Sequence, residues 1–291
     1  MGQNMPVKMG CSAVITNTVR HLLGMRISAQ FWCKKRKISF LNYAEDVNTL
    51  ARLKAMGADV LVVHHAMKIG KNILDQFTYG GLNIHPSRLP EYRGGSPFFW
   101  QVYDQVEYLS VSVHKATAQF DQGDILGMAE KPRILNTTED QMSSAARSEL
   151  AGPLIVEILD HFETRFNEAT VQPIKTTTRY ASYVNAHNLT SKIDIRQMSL
   201  EQLKQILNFT EEWRPNLLKT TGLKRLLVWR AVYCENTEFE SPESGNETAQ
   251  NNDLILKRDK LKFYAELPKG RIYFSPGFKL KAILSQIKGR Q

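Results

Sequence analysis

One short segment of the 291-residue sequence concentrates side chains that could carry out acyl-group chemistry. The segment runs Asn83-Ile-His-Pro-Ser-Arg-Leu-Pro-Glu-Tyr-Arg-Gly94, and Asp121 follows it in Phe120-Asp-Gln-Gly-Asp-Ile-Leu126. An amide can donate to a developing oxyanion, an imidazole can hold or move a proton, and a carboxylate can orient and charge the imidazole. Asn83, His85 and Asp121 therefore form a candidate acyl-transfer site, although the same residue types in loops more often serve in turns and caps.

The residues around this segment alternate between strand and helix patterns. In a strand, the period of two places Asn83 and His85 on the same face, at the carboxyl end where open α/β sheets bind ligands. The alternation predicts a Rossmann-like α/β domain with a largely parallel sheet. Its predicted strands are 12–16, 58–63, 82–85 and 110–114, and its predicted helices are 46–56, one capped by Ser96 with Pro97 in its first turn, and 138–162 with a kink at Pro153.

Composition divides the chain into three parts. Residues 1–169 are the α/β part, with an irregular basic stretch at 17–37, and residues 170–198 form an extended connector. Residues 199–291 contain several short strand patterns, which predict a small β-barrel-like domain. This last part is basic, with ten Lys and Arg against two Asp and Glu between 257 and 291. Such a charge suits a polyanionic partner as well as ordinary solubility.

Composition and spacing also exclude several classes of protein. The net charge is +9, and no apolar run reaches the roughly 18 residues of a membrane-spanning helix. Cys11, Cys33 and Cys234 are odd in number and far apart, which excludes a disulfide framework and a Cys-x-x-Cys metal site. His64 and His65 stand in tandem without an accompanying carboxylate or cysteine, so we favour a pocket-lining role. The sequence predicts neither a membrane span nor a metal.

The two motifs, Asn83 to Gly94 and Phe120 to Leu126, together resemble the signature of the 10-formyltetrahydrofolate-dependent formyltransferases. The chain most resembles the mitochondrial members that formylate methionyl-tRNA, and a weaker similarity continues through Tyr180-Ala181 and Lys192 to Ile195. The resemblance implies the formyltransferase fold, 10-formyltetrahydrofolate as the formyl donor and initiator methionyl-tRNA as the acceptor. We also expect a monomer located in the mitochondrial matrix.

The resemblance gives each residue of the trio a role. Asn83 would donate to the tetrahedral oxyanion, and His85 would stabilise that oxyanion and help to protonate the departing folate nitrogen. Asp121 would pair with His85, favour its charged form and take the proton of the attacking amine. Residues that would shape the site or hold the folate are Val63, His64, His65, Ala66, Met67, Ser87, Leu89, Pro90, Tyr92, Arg93, Gly94, Gln122 and Gly123.

Basic residues in two places are candidates for binding the tRNA. Arg20 and Arg26 lie where the family has a basic insertion that reaches the acceptor stem. The others lie on neighbouring predicted strands of the C-terminal domain, so some of them should form one positive face. They are Lys257, Arg258, Lys260, Lys262, Lys269 and Arg271.

Two other functions remain open, and one part of the family pattern is missing. The same trio could formylate an amino sugar nucleotide, or the chain could be a catalytically impaired RNA-binding relative. The basic domain argues against the sugar, and the intact trio argues against binding alone. The family opens with a strand and a glycine turn before the strand matched by Ala13 to Thr16, where this chain has only residues 1–10. We therefore expect that first strand to be missing or truncated.

Overall fold

A computed structural model of the chain divides into two compact units, residues 1–56 and 57–291, which are described separately. The predicted strand 12–16 and the candidates Arg20 and Arg26 lie outside the residues that the structure describes. The described residues are 29–38, 47–55, 57–64, 69–173, 175–185, 187–210, 218–219, 228–236, 254–259 and 262–276.

The first unit contains two described helices, α1 (Ala29–Lys35) and α2 (Val47–Ala55). The prediction of an irregular stretch over 17–37 is therefore wrong over Ala29–Lys35, and its residues 17–28 lie outside the described residues. Lys34 and Lys35 occupy the last turn of α1, where positive charge interacts favourably with the helix dipole. The basic run from Lys34 to Lys37 is exposed to solvent, as a solvated helix end should be.

The second unit opens with a four-stranded sheet in the order β1-β2-β3-β4. Strands β1 and β2 are parallel, whereas β2–β3 and β3–β4 are antiparallel. The predicted α/β class is confirmed, and the described part of the sheet is mixed because β3 returns beside β2 in the opposite direction. The elements are β1 (Leu61–His64), α3 (Lys71–Leu74), β2 (Gly81–His85), α4 (Pro97–Tyr103), β3 (Tyr108–Ala116) and β4 (Ile125–Pro132).

Helical residues after β4 cover this sheet. Thr138 and Gln141 form a reciprocal capping box that starts the first helix. The long helix predicted over 138–162 is interrupted, since a π-helical turn stands immediately before Pro153. Gly127 of β4 allows close packing, because a Cβ there would lie 3.1 Å from Leu154 and 3.2 Å from Ile158. The segments are α5 (Glu139–Ala145), a π-helix (Ala146–Ala151), α6 (Gly152–Asp160) and α7 (Phe162–Asn167).

The connector leads through α8 (Leu189–Lys192) to α9 (Leu200–Phe209). Phe209 packs against Phe99 of α4, with ring centroids 6.3 Å apart. Asn208 pairs with the backbone of Ala231, donating to its carbonyl at 2.9 Å and accepting from its N–H at 3.0 Å. Helix α9 thus packs on both the α/β part and the β-rich part, so the predicted boundary at residue 199 falls at an element that both parts share.

A second sheet follows in the order β5-β7-β8-β9-β6. Apart from the parallel β5–β7 pair, its pairings are antiparallel. Side chains alternate between a buried face and a more exposed face. No pairing among the described strands joins β5 to β6, so the sheet that these strands form is open. The strands are β5 (Leu218–Lys219), β6 (Val228–Asn236), β7 (Leu254–Asp259), β8 (Lys262–Leu267) and β9 (Gly270–Pro276).

Within the described ranges, no helix combines the length and apolarity needed to cross a bilayer.

Candidate active site

The structure brings the predicted trio together at the carboxyl end of β2. Asn83 and His85 project from this strand, and Asp121 lies on the loop between β3 and β4. The Oδ1 atom of Asp121 lies 3.4 Å from Nδ1 of His85 and accepts a hydrogen bond from Nδ2 of Asn83 at 3.3 Å. His85 and Asp121 are buried. The amide, imidazole and carboxylate therefore meet away from bulk water.

Asp121 is held in an unusual backbone conformation by its surroundings. Its φ of 55° is in the left-handed region, which Asp tolerates better than most residues. Its Oδ2 accepts a hydrogen bond from the N–H of Gly94 at 2.9 Å. Burial raises the pKa of the Asp121 carboxyl, but its neighbours, which include the imidazole of His85 and the N–H of Gly94, lower the pKa by more. The carboxyl is therefore an anion at neutral pH.

The hydrogen bonds of His85 favour its positively charged form. Its Nε2 lies 3.0 Å from the carbonyl oxygen of Tyr92, so this nitrogen must carry a proton. Its Nδ1 faces the carboxylate of Asp121, which also only accepts. A second proton on the ring satisfies that contact. With that second proton, the ring would be an imidazolium paired with a buried carboxylate, a group able to stabilise negative charge and to donate a proton.

Arg93, a residue of the first motif, and Gln172 of the connector hold the loop that carries Asp121 in place. The buried guanidinium of Arg93 donates from Nε to the carbonyl of Asp121 at 3.0 Å and from Nη2 to Oε1 of Gln172 at 2.7 Å. Gln172 in turn donates to the carbonyls of Asp121 at 3.1 Å and Gly123 at 2.6 Å. This bridge ties the connector to the loop that carries Asp121.

The trio faces a cavity of about 600 Å³, large enough for a drug-sized ligand. Val63, Ile69 and Phe98 contribute apolar wall, whereas Asn83, His85 and Asp121 contribute the polar groups. Three aromatic side chains line the cavity while remaining largely exposed; they are Phe120, Tyr180 and Tyr183. An apolar wall with a few convergent polar groups is the usual composition of a small-molecule site.

The predicted folate residues are divided between the cavity and the structure behind it. Val63 and Gly94 line the cavity. His64 is exposed and does not, and His65, Ala66 and Met67 lie outside the described residues. The remaining predicted residues also do not line the cavity: Ser87, Leu89, Tyr92 and Gly123 are buried, Pro90 is half-buried and Gln122 is exposed.

Hydrogen bonds explain why several of these residues lie behind the wall. The hydroxyl of Ser112 donates to the carbonyl of Ser87 at 2.7 Å and accepts from the N–H of Leu89 at 3.0 Å. The hydroxyl of Tyr92 donates to Asp104 at 3.1 Å. Burial and the nearby Asp104 carboxylate raise the pKa of Tyr92, so this hydroxyl stays protonated. These residues fix the loop over the trio.

The structure corrects one cap and adds residues that the motifs did not indicate. Ser96 precedes α4, but its side chain makes no cap hydrogen bond and instead accepts from the N–H of Val184 at 2.9 Å. Gln172 was not singled out, because no local pattern marks a glutamine that bridges distant carbonyls. His114 is the second such residue, because its Nε2 lies 3.0 Å from Nδ2 of Asn83. The signal that could have found His114 is the period-two alternation of β3, which places it on the same face as Ser112.

The predicted basic face of the second sheet is partly neutralised. Glu266 pairs with both Lys257 and Arg271. Arg258 lies over Phe263, and the Nζ of Lys269 lies 3.3 Å from the carbonyl of Met198. Lys260 lies outside the described residues, and Lys262 is exposed.

The same face carries a row of tyrosines. Tyr233, Tyr273 and Tyr264 lie on adjacent strands β6, β9 and β8, with ring centroids separated by 5.7 Å and 5.8 Å. Lys262 lies 5.9 Å from the Tyr273 ring, and Arg271 lies 5.0 Å from the Tyr264 ring. The face therefore mixes aromatic rings with cations, as surfaces that stack nucleic-acid bases do.

Comparison with known proteins agrees with the fold. Residues 25–158 match the formyl transferase family. A methionyl-tRNA formyltransferase of Lachnospira eligens is 32% identical over 204 residues, covering 69% of this chain and 62% of that protein. A methionyl-tRNA formyltransferase of Ehrlichia chaffeensis is 27% identical over 222 residues, covering 73% of this chain and 69% of that protein.

The fold also matches solved structures. An N-formyltransferase from Helicobacter canadensis, crystallised with folinic acid and dTDP-3-aminofucose, superposes with a TM-score of 0.58. Its sequence identity is 13%, and the match covers 86% of this chain and 82% of that chain. At this identity the likeness shows a shared fold.

The part that matches the formyl transferase family, residues 25–158, contains Asn83, His85 and Asp121. The sequence is similar to curated methionyl-tRNA formyltransferases, and it spans less than two thirds of the Lachnospira eligens protein.

Proposed function

We propose that this protein transfers a formyl group from 10-formyltetrahydrofolate to the amino group of methionyl-tRNA. The observation that carries the proposal is the contact of Asn83, His85 and Asp121 at the wall of one cavity. The similarity to methionyl-tRNA formyltransferases supports this acceptor. The 600 Å³ cavity, with its apolar wall, suits a flat pterin ring, and the folinic acid in the Helicobacter canadensis enzyme supports a folate donor.

The chemistry follows from the arrangement of the trio. The free amine attacks the formyl carbon, so a C–N bond forms and the carbonyl oxygen becomes negative. The imidazolium of His85 and an N–H of Asn83 stabilise that oxygen. The amide can do this because its contact with Asp121 is long, at 3.3 Å, and so is easily exchanged for a contact with the oxyanion.

Collapse of the intermediate breaks the bond between the formyl carbon and the folate nitrogen, which takes a proton from His85. The attacking nitrogen loses one proton. Because its pKa is lowered, Asp121 is a weak final acceptor for the amine proton, and that proton passes through the carboxylate to water. We therefore assign the carboxylate mainly to keeping His85 charged. Solvent then returns a proton to His85, which restores the starting protonation of the trio.

The tRNA body would contact the exposed face of the second sheet. Lys262 and Arg271 provide positive charge for phosphates, and Tyr233, Tyr264 and Tyr273 provide flat surfaces for unpaired bases. In this proposal residues 1–169 carry catalysis, 170–198 connect, and 199–291 bind tRNA.

A substrate comparison tests the proposal. The purified 291-residue chain is supplied with labelled 10-formyltetrahydrofolate and, in parallel, with charged initiator methionyl-tRNA or a dTDP-amino sugar. We expect label to reach the tRNA and not the sugar. Transfer to the sugar alone would establish the alternative acceptor, and tRNA binding without transfer to either would establish an RNA-binding relative.

We also propose that the protein acts as a monomer in the mitochondrial matrix. Phe120-Asp121, in place of the Leu-Asp usual in bacterial members, supports the organelle. Subcellular fractionation of the source cells tests the location, and light scattering of the purified chain tests the oligomeric state. Cytosolic enrichment or a dimer mass would contradict the respective statement.

A further inference from the structure

The strand beside β2 carries a buried histidine that the chemistry above does not use. His114 lies directly opposite Asn83 in the antiparallel β2–β3 pairing. The β3–β4 register shifts between Val113 and His114, which marks a bulge at this residue. Bulges re-aim side chains and are frequent beside active sites. The His114 side chain is 2% exposed and lines the same cavity as the trio.

The hydrogen bonds of His114 fix which of its nitrogens accepts. Nδ1 lies 2.8 Å from the carbonyl oxygen of Lys115, so Nδ1 must carry a proton. Nε2 lies 3.0 Å from Nδ2 of Asn83 but 3.7 Å from Oδ1 of Asp121. The shorter contact, with the Asn83 amide, decides the role of Nε2. An amide nitrogen can only donate, so Nε2 is the acceptor in its contact with Asn83.

The carboxylate of Asp121 demands the same orientation of the amide. Because its Oδ1 only accepts, the atom of Asn83 that faces it at 3.3 Å must also be Nδ2. Two acceptors, His114 on one side and Asp121 on the other, thus select the rotamer in which Asn83 presents N–H groups. In the flipped rotamer the Asn83 carbonyl would face the carboxylate and the oxyanion.

We propose that His114 is a positioning residue that holds the Asn83 amide with its N–H toward the reacting carbonyl oxygen. The inference rests on the proposed formyl transfer for its kinetic consequence. His114→Phe removes the acceptor while filling the space. We expect kcat to fall by about 10-fold to 100-fold, less than the loss of a whole oxyanion donor, with KM for both substrates unchanged. His114→Gln, whose Oε1 reaches the place of Nε2, should recover most of the loss.

A double-mutant cycle separates positioning from structural support. In an Asn83→Ala background, His114→Phe should lower kcat no further, because the amide on which it acts is absent. Ser110→Ala, at another buried polar position of β3, is the matched control and should leave kcat unchanged. An equal loss of kcat in both backgrounds, or a rise in KM with unchanged kcat, would overturn the proposal.

A spectroscopic measurement does not depend on turnover. The two side-chain ¹⁵N–H resonances of Asn83, assigned by their loss in Asn83→Ala, should be shifted and protected from exchange in the wild type and in His114→Gln. They should lose both properties in His114→Phe and keep them in Ser110→Ala. Resonances unaffected by His114→Phe would overturn the inference. A wild type without formyl transfer but with these shifts would contradict the proposed function alone.

Discussion

At the scale of single residues, the ionised Asp121 is the group on which the trio depends. Its contacts with His85, Asn83 and Gly94 all favour the anion, and its pKa is lowered. A carboxyl whose folded-state pKa lies below its unfolded value stabilises the fold above the unfolded value. That contribution is lost as the pH falls through the folded pKa.

The first prediction concerns the pH dependence of that stability. The difference in free energy of unfolding between wild type and Asp121→Asn should be constant at neutral pH and shrink as the pH falls below about 4, near the unfolded pKa of Asp. Urea unfolding at a series of pH values measures it. Asp124→Asn, on the same loop, is the control. A difference that stays constant down to about pH 3 would contradict the assigned ionisation.

Residue patterns predicted part of this site and missed the rest for physical reasons. Period-two alternation placed Asn83 and His85 on one face, and the second motif supplied Asp121. His114 and Gln172 act through contacts with residues 31 and 49 or more positions away along the chain. Such pairings depend on strand register and on the path of the connector, which local patterns do not encode.

At the scale of elements, close backbone approach determines which residues can cover the site. Gly94 has a φ of +125°, and a Cβ there would lie 2.6 Å from the carbonyl oxygen of Ala181. The connector therefore packs directly on the loop that donates to Asp121. Glycine is needed both for the backbone conformation and for the space.

The second prediction tests this packing. Gly94→Ala should lower the free energy of unfolding by about 2–4 kcal/mol, because strain and overlap add. Gly80→Ala is the matched control, since Gly80 also has a positive φ of +64° but nothing within 4 Å of an added Cβ. It should cost only about 1 kcal/mol. Equal losses in urea unfolding would show that the contact with the connector is unimportant.

The third prediction concerns the bridge from the connector to the catalytic loop. Gln172→Leu leaves the Asp121 and Gly123 carbonyls without this donor, and should lower the free energy of unfolding by about 1–3 kcal/mol. Gln172→Glu keeps an acceptor for Arg93 but turns a carboxylate oxygen toward both carbonyls, so it should lose at least as much. Thermal and urea unfolding of the two variants provide the comparison. A Leu variant as stable as wild type would contradict the role of the bridge.

Element types were more predictable than their arrangement. Strands β1 and β2 and the strand-rich character of residues 199–291 follow from the sequence pattern. The antiparallel return of β3 and the π-helical turn before Pro153 depend on packing between layers. Helix α1 was missed because its seven residues contain no buried side chain, so no apolar stripe marks it.

At the scale of the whole molecule, the fold places two surfaces in one unit of residues 57–291: the cavity lined by the trio and an aromatic, cationic sheet face. Glu266 neutralises part of the positive charge that the sequence suggested. In the proposed tRNA complex, base stacking therefore has to supply much of the affinity on this face.

The fourth prediction follows from that balance. Tyr264→Ala should weaken tRNA binding by about 1–3 kcal/mol, the usual contribution of one stacked base, whereas Tyr264→Phe should keep it. Lys262→Gln should reduce the salt dependence of affinity by about one phosphate contact. Lys131→Gln, on the first sheet, is the control. Binding that is insensitive to salt and to Tyr264→Ala would place the tRNA elsewhere.

Single-turnover formyl transfer to methionyl-tRNA by wild type, Asp121→Asn and Asp124→Asn tests the central claim most directly. Asparagine keeps the shape and the left-handed backbone of Asp121 but cannot hold His85 charged. The account predicts that Asp121→Asn slows transfer by about 10²–10⁴-fold with unchanged folate affinity, while Asp124→Asn matches wild type. Near-normal transfer by Asp121→Asn would contradict the claim that this trio carries the reaction.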